Sequence, residues 1–304
     1  MQDMPSKSMI DACIKPFLEK NKLPPSYWDN AQKWFIPILE AIVSHQEQAQ
    51  RPVLIGVNGA QGSGKSTFTE LATVYLTNVM DLPCIGFSID DFYFSKVKRQ
   101  QLGQDIHPLL NTRGVPGTHD IALLERTIYQ LMNGEKCTIP QFDKAIDDVK
   151  PSAEWLVSDI APKVIILEGW CVGSVACDAE NLTAPINQLE EENDANGRWR
   201  NYVNQQLLTT YHPVFALIDK LIMLKAPSFE CVYKWRVEQE HKMLQRLKED
   251  NQTIEGLGMT DEQIANFISF YQRITEDNLT LMPAFCDYLF DLDSNRNIVS
   301  CQHN

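Results

Sequence analysis

Eight consecutive residues, Gly59-Ala60-Gln61-Gly62-Ser63-Gly64-Lys65-Ser66, satisfy the pattern GxxxxGK[ST] in full. That pattern works only as the bend between a buried β-strand and a following helix, so it fixes local architecture as well as chemistry. Both neighbours are in place: the apolar run "PVLIGV" (52–57) precedes the loop, and the helical pattern "STFTELATVYLTNVM" begins at Ser66. The glycines let the chain curl tightly and turn successive backbone N–H groups inward, a nest for phosphate oxygens. The helix starting near Lys65 adds unpaired N–H groups and the positive end of its dipole. Lys65 brings a point charge to the β- and γ-phosphates, and the Ser66 hydroxyl is a ligand for Mg²⁺. The loop is expected to hold a nucleoside triphosphate.

Further apolar runs read as strands: "PCIGFSI" (83–89), "KVIILEGW" (163–170), "KLIMLK" (220–225) and "FCDYLFDL" (285–292). Helical patterns fall at 120–132, 198–212, 227–249 and 261–275. Strands alternating with helices predict an α/β fold, a mostly parallel sheet covered by helices on both faces. Before the first strand, residues from about Ser8 to His45 read as helices broken at Leu23-Pro24-Pro25. Pro37 either kinks the second of these or stands near its start. The expected division is an amino-terminal helical extension over 1–50, packed on a core domain at 51–304. Pro227 suits the first turn of its helix, and Thr260 with Gln263 fits a capping box. The acidic run "LEEENDANG" (189–197) reads as a solvated loop or frayed helix start.

Forty acidic against 27 basic side chains give a net charge of −13, which disfavours nucleic acid and anionic membrane as partners. The eight cysteines include no CxxC pair, so structural zinc has little support and reduced thiols are expected. No secretory signal or membrane-length apolar run is visible. These features together predict a cytoplasmic chain acting on a small molecule; they leave its oligomeric state open.

The GTPase motif NKxD fails at its last position in Asn21-Lys22-Leu23-Pro24, and no LSGGQ-type transporter signature occurs. Glu168 closes an apolar strand, either as an ordinary strand-end acid or facing the nucleotide's metal. In "FSIDDFYF" (87–94), Asp90 emerges at the carboxyl end of its strand, the edge where open α/β sheets bind ligands. A carboxylate there can accept the proton of an attacking hydroxyl, although Asp91 competes for that role. In "NTRGVPGTHD" (111–120) a turn leads into a helix, placing Thr118 and His119 at a helix amino end that favours anions. Arg113 close by offers either a fork for a carboxylate or a structural salt bridge.

"GAQGSGKST", "SIDDFY", "HPLLNTRGVPGTHD", "IPQFDKA", "LEGW" and "VYKWRVEQE" together resemble the D-glycerate 3-kinase-like branch of the P-loop kinases, over about 52–298. The wider group includes uridine kinase, phosphoribulokinase and pantothenate kinase. The resemblance implies an ATP-dependent kinase in which Gly59 to Thr67 hold the phosphates and Ser66 with Glu168 holds Mg²⁺. It implies Asp90 as the base and Arg236, on a lid helix, over the transferred phosphate; the other reading of Arg236 is an i,i+4 pair with Glu240. It implies D-glycerate as acceptor, gripped by Arg113, Thr118, His119, Asp143 and Lys144. The rivals are a nucleoside or pantothenate-type kinase, and an ATP-binding regulator that transfers nothing. One departure stands out: after "FDKA" the family has an arginine where this chain has Val149. The basic cluster "SKVKR" (95–99) either compensates or forms a solvated helix face.

Overall fold

Alternation along the strands sorts the core into two layers. In the computed structural model, which describes residues 7–249 and 258–304, Val53, Ile55 and Val57 of the first strand face one apolar cluster while Leu54 faces the other. Val164 and Ile166 repeat the division against Ile165 and Leu167, as a period of two requires for a sheet buried on both sides.

The strands are β1 (Val53–Gly59), β2 (Cys84–Ser88), β3 (Cys137–Ile139), β4 (Phe142–Asp143), β5 (Asp148–Val149), β6 (Leu156–Ser158), β7 (Val164–Gly169), β8 (Lys220–Lys225), β9 (Tyr288–Leu292) and β10 (Ile298–His303). The central sheet has the order β10-β9-β8-β1-β7-β2, parallel throughout except for the β9–β10 pair. Two small antiparallel pairs, β3 with β6 and β4 with β5, stand apart from it.

The helices are α1 (Lys7–Lys20), α2 (Pro25–Trp34), α3 (Ile36–Ala49), α4 (Lys65–Val74), α5 (Lys96–Asp105), α6 (Ile121–Met132), α7 (Gln188–Asn193), α8 (Arg198–Gln206), α9 (His212–Phe215), α10 (Phe229–Glu249), α11 (Asp261–Ser269) and α12 (Gln272–Leu281). One face of the sheet carries α1 to α4 and the start of α10, with Phe35 edge-on to both Phe68 and Phe290. The other carries α6, α8 and α12 through Leu124, Trp199 and Ile274.

All five strand runs expected from the sequence form, and Thr260 makes both bonds of its capping box with Gln263. Pro37 stands at the start of α3 rather than kinking it. Residues 1–6 of the expected extension lie outside the described residues. Three readings need correction. Pro227 is outside α10, which begins at Phe229 with the Ser228 hydroxyl accepting from the Cys231 N–H. The 261–275 stretch is two helices, broken at Phe270-Tyr271. The acidic run is not solvated throughout: Glu190 and Asp194 are buried counter-ions for Arg273 and Arg200. All eight cysteines are free, four of them buried. Among the described residues no group of three or more His, Cys, Asp or Glu gathers to hold a metal, and no helix is long and apolar enough to cross a membrane.

Candidate active site

The register of three parallel strands builds the site. Val57 in β1 lies opposite Glu168 in β7, which lies opposite Ser88 in β2. The phosphate loop leaves β1 just past this row and Asp90 follows β2 just past it. Glu168, Lys65 and Asp90 therefore share the carboxyl edge of the sheet.

Gly59 ends β1, and its neighbour Ala60 is buried beneath the loop, with its carbonyl accepting from the Ser63 N–H at 3.1 Å. Gln61 Oε1 and Ser63 Oγ are buried without hydrogen-bond partners. Gly64 caps α4 at φ 93°, where an added Cβ would meet nothing within 4 Å, an open cradle suited to an anion. Thr67 lies half-buried in the first turn of α4. Gly62 is constrained twice, by a φ of 79° and by Trp235, whose Cβ would lie 2.8 Å from an added methyl. Gly62→Ala is expected to destabilise the fold by about 1–3 kcal/mol. Denaturant unfolding checks this, and a parental midpoint would contradict it.

The Ser66 hydroxyl donates to Glu168 Oε1 at 2.6 Å, and Lys65 Nζ stands 3.9 Å from Glu168 Oε2. Oε2 is buried and has no hydrogen-bond partner. A hydroxyl beside a buried, incompletely satisfied carboxylate is a hard-oxygen donor set, and it fits Mg²⁺.

Asp90 accepts from Lys144 Nζ at 2.7 Å through Oδ2 and from the Tyr93 hydroxyl at 3.0 Å through Oδ1. Burial pushes its pKa up, but Lys144 and then Lys65 override it, holding the carboxyl well below its usual range. Asp91 plays a different part, since its Oδ1 accepts from the Phe142 N–H and ties the start of β4 to the end of β2. Burial, opposed by that bond, pushes Asp91 up to about 6. Of the two acids, Asp90 is the one that faces cations at the loop.

The segment after "NTRG" places Thr118 and His119 inside the fold. Thr118 is fully buried, and its hydroxyl donates to Val115 O and accepts from the Gly114 N–H. It shapes the turn and is not offered to a ligand, a correction to the expected substrate contact. The amino end of α6 is already capped by Asp120, whose carboxylate accepts from the Leu123 N–H, so it is no open anion seat. His119 packs face-on against Tyr93 with ring centroids 4.2 Å apart. The Tyr211 hydroxyl accepts from the Gly117 N–H and shares a hydrogen bond with His119 Nδ1 at 2.7 Å. The other ring nitrogen, Nε2, is buried and without a partner.

Burial presses the His119 pKa down to about 4, opposed by the Asp90 charge. The folded pKa lies below the ordinary 6.5, so the neutral form is the stabilised one. Its contribution is complete above pH 6.5 and is lost as pH falls through about 4. His119→Gln should flatten the thermal-stability profile over that window, and an unchanged acid limb would count against the assignment.

Arg113 pairs with Asp147 and lies over the Phe142 ring, so its guanidinium already has an anion. Asp143 turns into its own loop, accepting from the Ala145 N–H. Arg236 pairs with buried Glu240 at 2.7 Å in this conformation. Within the basic cluster, Lys96 and Lys98 are exposed as a solvated helix face would have them, but Arg99 is not. It is fully buried, bonds the carbonyls of Phe94, Asn111 and Asp147, and pairs with the Asp147 carboxylate at 3.0 Å. It thus brings a cation to the loop that carries Asp147. Neither Tyr93 nor Tyr211 is singled out as a site builder in the sequence, which offers Arg99 only as part of the basic cluster at 95–99. Only Tyr93 left a signal, as the third residue after Asp90.

No protein-family model matches the chain. It is 30% identical over 274 residues to an uncharacterized kinase, mug58, of Schizosaccharomyces pombe, spanning 84% of this chain and 88% of that one. It is 29% identical over 248 residues to the chloroplastic D-glycerate 3-kinase of Arabidopsis thaliana, spanning 78% of this chain and 48% of that one. Among solved structures, a D-glycerate 3-kinase from Cryptococcus neoformans superposes with a TM-score of 0.70 at 25% identity, covering 88% of this chain and 98% of that one.

Proposed function

Because the chain belongs to the D-glycerate 3-kinase-like branch of the P-loop kinases, we propose that it moves the γ-phosphate of ATP to the primary hydroxyl of a small hydroxy acid, D-glycerate. The observation carrying this reading is Asp90 at the carboxyl edge of the sheet, paired with Lys144 and under the influence of Lys65 in the phosphate loop.

Asp90 keeps lone pairs free beyond those used by Lys144 and Tyr93, so it can accept one more hydrogen bond, from the acceptor's hydroxyl. A carboxylate held this far below its usual range is a weak base. That suits a loose transition state, in which the hydroxyl proton leaves late and orientation matters more than early abstraction. The acceptor oxygen forms its bond to phosphorus as the bond to the ADP oxygen breaks, and Asp90 takes the released proton. Lys65 and the loop amides balance the charge on the phosphoryl oxygens. Mg²⁺, held by Ser66 and Glu168, would supply a fixed double charge against those oxygens. Arg236 would reach the phosphate only after parting from Glu240.

For the acceptor, Lys144 supplies a cation at Asp90, Arg113 near Lys144 would first have to part from Asp147, and His119 Nε2 is a ring nitrogen without a partner. Two cations and a polar ring nitrogen suit a carboxylate and a hydroxyl better than a nucleobase. An ADP-release screen against hydroxy acids, sugars, nucleosides and pantothenate tests this. Stimulation by D-glycerate well above the rest is expected. Stimulation by a nucleoside or pantothenate alone would overturn the acceptor while leaving the kinase intact.

A further inference from the structure

The turn between β9 and β10 carries an arginine that touches both halves of the nucleotide machinery. Arg296 Nε donates to the Gly62 carbonyl at 2.9 Å, at the crown of the phosphate loop. Its Nη2 donates to Glu238 Oε2 at 2.6 Å, on α10 just beyond Arg236. Its guanidinium also lies over the Trp235 ring, 5.3 Å from the centroid. The turn is braced from beneath. Asp293 accepts from the N–H groups of Asn295 and Asn297, and Trp235 Nε1 donates to Ser294 O at 2.7 Å. Trp235 in turn leaves Gly62 no room for a side chain. Loop, helix and turn therefore meet at one guanidinium.

We propose that Arg296 is a positioning residue for phosphoryl transfer, a clamp that fixes the crown of the phosphate loop relative to α10 and so to Arg236. Its planar fork suits such a clamp, because two N–H groups in fixed relation engage a carbonyl and a carboxylate together. A lysine in its place can satisfy one partner at a time. Arg296 reaches neither the base nor the metal donors. Its effect passes through the Gly62 peptide on one side and Glu238 on the other. The inference rests on the assignment of the loop to ATP and is independent of the acceptor.

Calorimetric binding of the non-hydrolysable analogue AMP-PNP tests the clamp. Arg296→Ala should bind about tenfold more weakly, the worth of one charge-assisted hydrogen bond. Glu238→Gln, which alters a half-exposed side chain distant from the phosphates, should weaken binding about two- to threefold. Arg296→Lys should stay near the alanine level. The double variant should bind no more weakly than Arg296→Ala alone, because both changes act through one link. Losses that simply add, or parental affinity in Arg296→Ala, would overturn the clamp while leaving the loop assignment standing. A parent chain that fails to bind the analogue would overturn both. Should Arg296→Ala not fold, parental affinity in both Glu238→Gln and Arg296→Lys would overturn the proposal, and the stated losses would support it.

Discussion

Asp90→Asn is expected to lower turnover by about 10³-fold while leaving ATP affinity within about twofold of the parent. Asparagine keeps the shape of the side chain and removes its charge. The proton released by the acceptor then has no carboxylate to receive it, and the amide can present an N–H where an acceptor is needed. Lys144 loses its counter-ion as well, so the acceptor pocket becomes more positive. ATP binding is spared because the phosphate loop does not lean on Asp90. Its amides follow β1, Lys65 and Ser66 open α4, and their partner Glu168 is on β7. Steady-state ADP release with a saturating acceptor measures turnover, and calorimetry measures affinity. Turnover within about tenfold of the parent would remove Asp90 as the base.

Lys65→Ala is expected to lower turnover by about 10²- to 10³-fold and to weaken nucleotide binding as well. The ammonium is the one side-chain cation of the loop motif, and it stands 3.9 Å from a buried carboxylate. Removing it deletes a charge aimed at the phosphates and leaves Glu168 more exposed to its own desolvation cost. The two variants therefore differ in kind. Asp90→Asn separates chemistry from ATP binding, whereas Lys65→Ala damages both. Unaltered ATP affinity in Lys65→Ala would count against the loop assignment. Lys65→Arg should rescue poorly, because a flat fork replaces a compact point charge in a cradle shaped for the latter.

The sequence disclosed what is local. The strand–loop–helix unit from Val53 to Val74 follows from apolar runs and glycines in a fixed order, and the five parallel strands follow from apolar runs alone. The position of Asp90 beyond β2 was legible because strand periodicity and the carboxyl-edge rule need no distant partner. Long-range pairing was not legible. Arg99 looked like one more basic residue on an exposed helix, and only the fold brings Asn111 and Asp147 around it. Thr118 looked available because its partners, Val115 O and the Gly114 N–H, are backbone atoms of a turn whose shape no side chain reveals. Tyr211 lies in a π-helical turn, Leu207–Tyr211, which has no sequence signature, yet its hydroxyl holds His119 Nδ1. Strand β10 was not expected, because Ser300, Gln302 and His303 leave it without an apolar run.

The γ-phosphate is expected to end on the primary hydroxyl of glycerate. A ³¹P NMR time course of the chain with ATP, Mg²⁺ and D-glycerate tests it directly, with Asp90→Asn run alongside. The γ-phosphate resonance is expected to give way to a phosphomonoester on the primary carbon of glycerate, at a rate that collapses in the variant. Release of inorganic phosphate alone, or ester formation undiminished in Asp90→Asn, would contradict it.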